Sequence, residues 1–109
     1  MTRPSEKPRA STETLRDPEI ADWLEAHPRA ALLFWDESDD ACRRLRARLE
    51  LVAAAADVPV AAVDVRTSAL VAHALGVKTV PIVVVFRGGD VVERVLGIAP
   101  EMILREALG

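Results

Sequence analysis

Apolar residues in this chain fall into two kinds of run. Residues 30–35 (Ala-Ala-Leu-Leu-Phe-Trp) and 82–86 (Ile-Val-Val-Val-Phe) are continuously apolar, and 60–65 is interrupted only by Asp64. Short unbroken runs of this kind predict strands buried on both faces of a sheet. Elsewhere the apolar positions recur at three- and four-residue steps, which predicts helices that lie on the sheet by one face. Over about 39–56 the stripe is Cys42, Leu45, Leu49, Val52 and Ala56. Arg43, Arg44, Arg46, Arg48 and Glu50 fall elsewhere on the circumference, so this helix is expected to show solvent a basic side.

Punctuation fills in the rest. Asp17-Pro18-Glu19 reads as a helix start, with a capping side chain, a proline in the first turn and an acid facing the helix dipole. Ile20, Trp23 and Leu24 continue that helix, and Pro28 ends it. Thr67 is expected to cap a third helix reaching Leu75, closed by Gly76 in the left-handed conformation. Arg87-Gly88-Gly89-Asp90 is a hairpin turn returning through 91–96, and Pro100 opens a last helix whose Ile103, Leu104 and Leu108 are expected to cover the sheet. Helix, strand, helix, strand, helix, hairpin, helix is the order of an α/β fold, with a mixed sheet flanked by helices on both faces. Residues 1–16, with two prolines, mixed charges and few apolar side chains, are expected to be a disordered arm ahead of one domain over 17–109.

Composition removes several functions. Half the 109 residues are hydrophobic but only 4% are aromatic, so the core must be mostly Val, Leu, Ala and Ile. The net charge of −3 supplies no field for nucleic acid. The arginines at 43–48 lack interleaved aromatics and read as a solvated helix face. No apolar run is long enough for a membrane span, and residues 1–16 lack the apolar core of a signal peptide, so a cytoplasmic protein without membrane or nucleic-acid partners is expected. One cysteine builds no disulfide, and one cysteine with two histidines is too few for a zinc site. No metal or cofactor is expected. His27 and His73 read as helix-end and packing or surface residues, Trp23 and Trp35 as core anchors, and Gly88-Gly89 as turn chemistry.

Candidate chemistry gathers where the first long strand meets the first long helix, at Phe34-Trp35-Asp36-Glu37-Ser38-Asp39-Asp40-Ala41-Cys42. Ser38 or Asp39 can cap the helix, and the acids complement its dipole. An acidic contact surface for a basic partner is compatible with that role. Cys42 has two readings. It lies on the apolar stripe as a small hydrophobe beside carboxylates that disfavour a thiolate. Alternatively, Arg43 and Arg46 lower its pKa and it forms mixed disulfides.

The run Gly76-Val77-Lys78-Thr79-Val80-Pro81, the strand after it, the Gly89 turn, Gly97 and the Phe34-Trp35 pair resemble the thioredoxin family over residues 17–109. The resemblance implies that Pro81 is the family's cis-proline. It also implies a groove formed by Val80, Pro81, Gly97, Ile98 and the loop from Ser38 through Asp39 to Cys42, in which an extended client peptide pairs with the backbone of Val80. The family's Cys-x-x-Cys is here Asp39-Asp40-Ala41-Cys42, with the attacking cysteine replaced by Asp39. Leu33 stands for the buried acid that many members have, Ser38 for a tryptophan and Ala47 for a helix-kinking proline. Among members lacking the redox pair, residues 34–38 are similar to a co-chaperone-type domain. Asp22-Trp23-Leu24 is loosely similar to the opening helix of hydrogenase-maturation-type members. The expectation is a non-catalytic binding or chaperone-type module for a client protein or peptide. The alternatives are a monothiol exchanger using Cys42 and a structural or oligomerising domain.

Overall fold

The structure is a computed structural model and describes residues 12–109. Its elements are β1 (Glu13–Thr14), α1 (Asp17–Ala26), β2 (Arg29–Trp35), α2 (Asp40–Ala56), β3 (Val60–Asp64), α3 (Leu70–Ala74), β4 (Ile82–Arg87), β5 (Asp90–Leu96) and α4 (Glu101–Leu108). The strands form one sheet in the order β1-β3-β2-β4-β5. β1, β3 and β2 run parallel; β4 is antiparallel to β2, and β5 to β4.

Alternation along β2 sorts its side chains between two cores. Leu33 and Trp35 join Cys42, Leu45, Leu49, Val83, Leu104 and Leu108 beneath α2 and α4. Leu32 and Phe34 join Ile20, Trp23, Val63, Ala72 and Val84 on the side of α1 and α3. Both faces of β2 are therefore dry, which is why its sequence does not alternate. Each fully buried Leu or Phe contributes about 1.5–3 kcal/mol of apolar transfer. The β4–β5 turn places Gly88 at φ +61° and Gly89 at φ +90°, and a two-residue turn with both angles positive is open to glycine at little steric cost.

Five expectations change. Residues ahead of Asp17 belong to the fold, because β1 pairs with β3 through Glu13 and Thr14, and Thr12 and Leu15 are buried. The expected arm of residues 1–16 is corrected at its end, and residues 1–11 lie outside the described residues. A two-residue strand has no periodicity to read. Asp17 caps a different helix from the one it begins: its carboxylate accepts from the backbone N–H of Leu70 and Val71 at 3.0 Å each. α3 accordingly starts at Leu70, with Thr67 in the preceding turn, where its N–H donates to the Asp64 carbonyl.

α2 does not present all its arginines to solvent. Arg46 lies 4.6 Å over the Trp35 ring, pairs with Glu50 at 3.1 Å and donates to the Thr12 carbonyl. Arg48 donates to the Ala99 carbonyl. Ile103 is 43% exposed, so Leu104 and Leu108 cover the sheet without it.

Candidate functional site

Strand register brings three separated segments to one end of the sheet. Phe34 pairs with Ile82, and Ile82 with Leu96. One step further along the same register sets Trp35, Pro81 and Gly97 in a row, and the Gly97 N–H donates to the Pro81 carbonyl at 2.9 Å. The Val80–Pro81 peptide bond is cis. Val80 is half-buried and packs against both cores, while Pro81 is buried. Leu96 (65%) and Ile98 (39%) are exposed beside this row. Leu96 was absent from the expected groove; its signal in the sequence is its place as the apolar residue directly before Gly97.

The loop after Trp35 turns into α2 through acids whose partners are defined. Asp39 is the N-cap, and its Oδ1 accepts from the Ala41 N–H at 3.1 Å. Asp36 Oδ1 accepts from the Ser38 N–H at 2.9 Å and from the Ser38 hydroxyl at 2.7 Å. These two bonds, hydroxyl first, hold the Asp36 carboxyl below its usual range, with help from Arg66 against the opposing effect of burial. Asp40 pairs with Arg43 and Arg44 at 3.2 and 3.3 Å, which offsets its charge locally.

Cys42 is fully buried. Its thiol lies 3.4 Å from Asp39 Oδ2, to which it donates, and it accepts from the Asp36 N–H at 3.5 Å. Burial pushes its pKa up, and the Asp39 carboxylate adds to this by accepting the thiol proton; the Asp36 N–H opposes both. Arg43 is committed to Asp40 and the Glu37 carbonyl, and Arg46 to Glu50 and Thr12, so neither guanidinium is aimed at the sulfur.

The native chain keeps the Cys42 proton after the unfolded chain has released its own. Stability should therefore fall as pH rises past the unfolded thiol's pKa toward the higher native one. Labelling by iodoacetamide should show a half-maximal pH above that of the denatured chain; equal midpoints would overturn the assignment.

Other features lie apart from this end. A cleft of about 510 Å³ lined by Ala21, Leu24, Glu25, Pro28, Gly88 and Gly89 opens beside the β4–β5 turn, at the opposite pole of the sheet. Among the described residues no group of three or more His, Cys, Asp or Glu side chains is placed to hold a metal, and no helix is long and apolar enough to cross a membrane. His27 Nδ1 lies 2.8 Å from the Trp23 carbonyl, and His73 is exposed.

The family model described as Thioredoxin matches residues 12–108. The chain belongs to the thioredoxin family. Among solved structures, this thioredoxin-family chain is similar to a point mutant of thioredoxin from Halobacterium salinarum NRC-1, with 26% identity and a TM-score of 0.85. That match covers 94% of this chain and 92% of the other. It shares its fold with oxidized mitochondrial thioredoxin 3 from Saccharomyces cerevisiae (19% identity, TM-score 0.80, coverage 92% and 95%). It also shares it with a thioredoxin of Malassezia sympodialis (19%, TM-score 0.78, coverage 95% and 96%). No curated protein matches the chain. Within this family the single thiol at position 42 leaves the chain without a Cys-x-x-Cys pair.

Proposed function

We propose that this thioredoxin-family chain is a binding module that holds an extended segment of a client protein and does not exchange its disulfides. The observation that carries the reading is the buried Cys42 thiol, bonded to Asp39 where a dithiol site would need a second sulfur. A lone thiol can enter a mixed disulfide but has no internal partner to resolve it. What remains usable is the sheet end: the half-buried Val80 backbone, the exposed Leu96 and Ile98, and Ser38 and Asp39 in the loop that follows Trp35. Main-chain pairing at Val80 would supply affinity, and the two apolar side chains would supply contact area. The client is an unfolded or extended polypeptide, met in the cytoplasm. Monothiol exchange through Cys42 is the competing reading, and the raised thiol pKa and full burial weigh against it.

The test is suppression of aggregation of a thermally unfolding reporter enzyme. Wild type and Cys42→Ala should protect equally, and Leu96→Asp with Ile98→Asp should protect several-fold less at unchanged thermal stability. Loss of protection in Cys42→Ala alone would favour the monothiol reading; equal protection by the Asp variants would overturn the groove.

A further inference from the structure

The turn that covers Cys42 is fastened to the sheet by one side chain. Arg66 Nε lies 3.1 Å from Asp36 Oδ1, the oxygen that also accepts both Ser38 donors. Arg66 is itself anchored, because its backbone N–H donates to Asp64 Oδ1 at 3.0 Å and its Nε lies 3.7 Å from the same atom. Asp64 is buried as the last residue of β3, and the next N–H, of Val65, donates to the Trp35 carbonyl at 2.9 Å. Arg43 also grips the turn, at the Glu37 carbonyl, but it grows from α2, the element into which the turn leads. Among the described residues, Arg66 is the side chain that ties the turn back to the sheet.

Both hydrogen-bond partners of the Cys42 thiol lie in this same turn: it accepts from the Asp36 N–H and donates to Asp39 Oδ2. Cys42 belongs to the buried core that also holds Leu33, Leu45 and Val83. Opening residues 36–39 breaks both of these bonds and uncovers the sulfur on that side.

We propose that Arg66 is a positioning residue, a clasp that keeps the Asp36 turn shut over Cys42, so that the thiol reacts through local opening of this turn and not through global unfolding. The clasp operates whether or not the sheet end holds a client. Arg66 is 53% exposed and Asp36 28%, so the pair is partly screened by solvent. Removing such a pair shifts an opening equilibrium by roughly two- to fivefold.

The test is the rate of Cys42 alkylation by iodoacetamide in the native chain, read by mass spectrometry and corrected for thiolate fraction from each variant's own pH profile. Arg66→Ala should label about two- to fivefold faster than wild type, and Arg66→Lys should stay near wild type. Raising salt from about 0.1 M to about 1 M should accelerate wild type toward the alanine variant and leave that variant unchanged. Low concentrations of urea should barely alter any of these rates. Alkylation of Arg66→Ala at the wild-type rate, or rates that climb with urea as steeply as global unfolding, would overturn the clasp. If Arg66→Ala does not fold, Asp36→Asn gives the same comparison: acceleration sustains the proposal and its absence overturns it.

Discussion

Replacing Asp39 with cysteine should confer catalytic disulfide reduction on this chain. Position 39 is the N-cap of α2, and its side chain already comes within 3.4 Å of the Cys42 sulfur. A thiol there would meet the exposed amides and positive end of the helix, which favour the thiolate. The introduced thiolate would attack a substrate disulfide and release one thiolate. The Cys42 sulfur would then attack the mixed disulfide, release the second thiol and leave a 39–42 disulfide for dithiothreitol to reduce. In an insulin-reduction assay with dithiothreitol, wild type should not exceed the uncatalysed rate, and Asp39→Cys should exceed it at least tenfold. Leu33 offers no carboxyl for proton transfer, so the gain should remain below that of a dithiol member of the family. Turnover by wild type, abolished in Cys42→Ser, would defeat the binding-module reading. A folded Asp39→Cys protein with no turnover would defeat the geometry assigned to positions 39 and 42.

Phe34→Ala should produce the largest loss of stability of any change discussed here. Phe34 has no exposed surface and sits in the central strand against Trp23, Ile20 and Val84. Truncating a buried aromatic costs about 3–5 kcal/mol, against a total of roughly 5–15 kcal/mol for a domain. Urea unfolding should show the loss as a lowered midpoint with an unchanged slope. Leu51→Ala is the control: at 69% exposure it should lie within about 0.5 kcal/mol of wild type. Equal midpoints for the two variants would contradict the packing of β2.

The parts of this fold that declare themselves in the sequence are those set by burial. Residues 30–35 and 82–86 read as two-sided strands because both faces are covered, and the Cys42–Leu45–Leu49 stripe reads as a helix face because α2 buries it. Asp39 as a cap was legible because the preference for an acid at that position is local. Asp17 was legible as a cap but not as a cap for α3, because the N–H donors its carboxylate accepts from belong to a segment 53 and 54 residues away. β1 was hidden for a related reason: two residues carry no period, and what holds them is pairing with β3, with Arg46 bonded to the carbonyl of Thr12 just ahead of them. The arginines of α2 followed the helical wheel, yet reach of the side chain decided the outcome. A long stem let Arg46 lie on Trp35 and Arg48 bond Ala99, where the wheel alone put them in water. At the candidate site, the residues of the sheet end were legible by resemblance, whereas Arg66 was not. Its partner Asp36 lies on another loop, and nothing in residues 64–67 announces the contact.

The strand order has a practical consequence for handling the molecule. β1 and β5 are opposite margins of the sheet, separated by β3, β2 and β4, so four interstrand spacings, about 19 Å, lie between Thr12 and the strand that ends at Leu96. A surface tether or fluorescent fusion attached ahead of Thr12 therefore starts from the margin opposite Leu96, and one joined after Gly109 leaves from the end of α4, where Arg29 at the start of β2 donates to the Leu108 carbonyl at 3.1 Å, the pole away from Leu96 and Ile98.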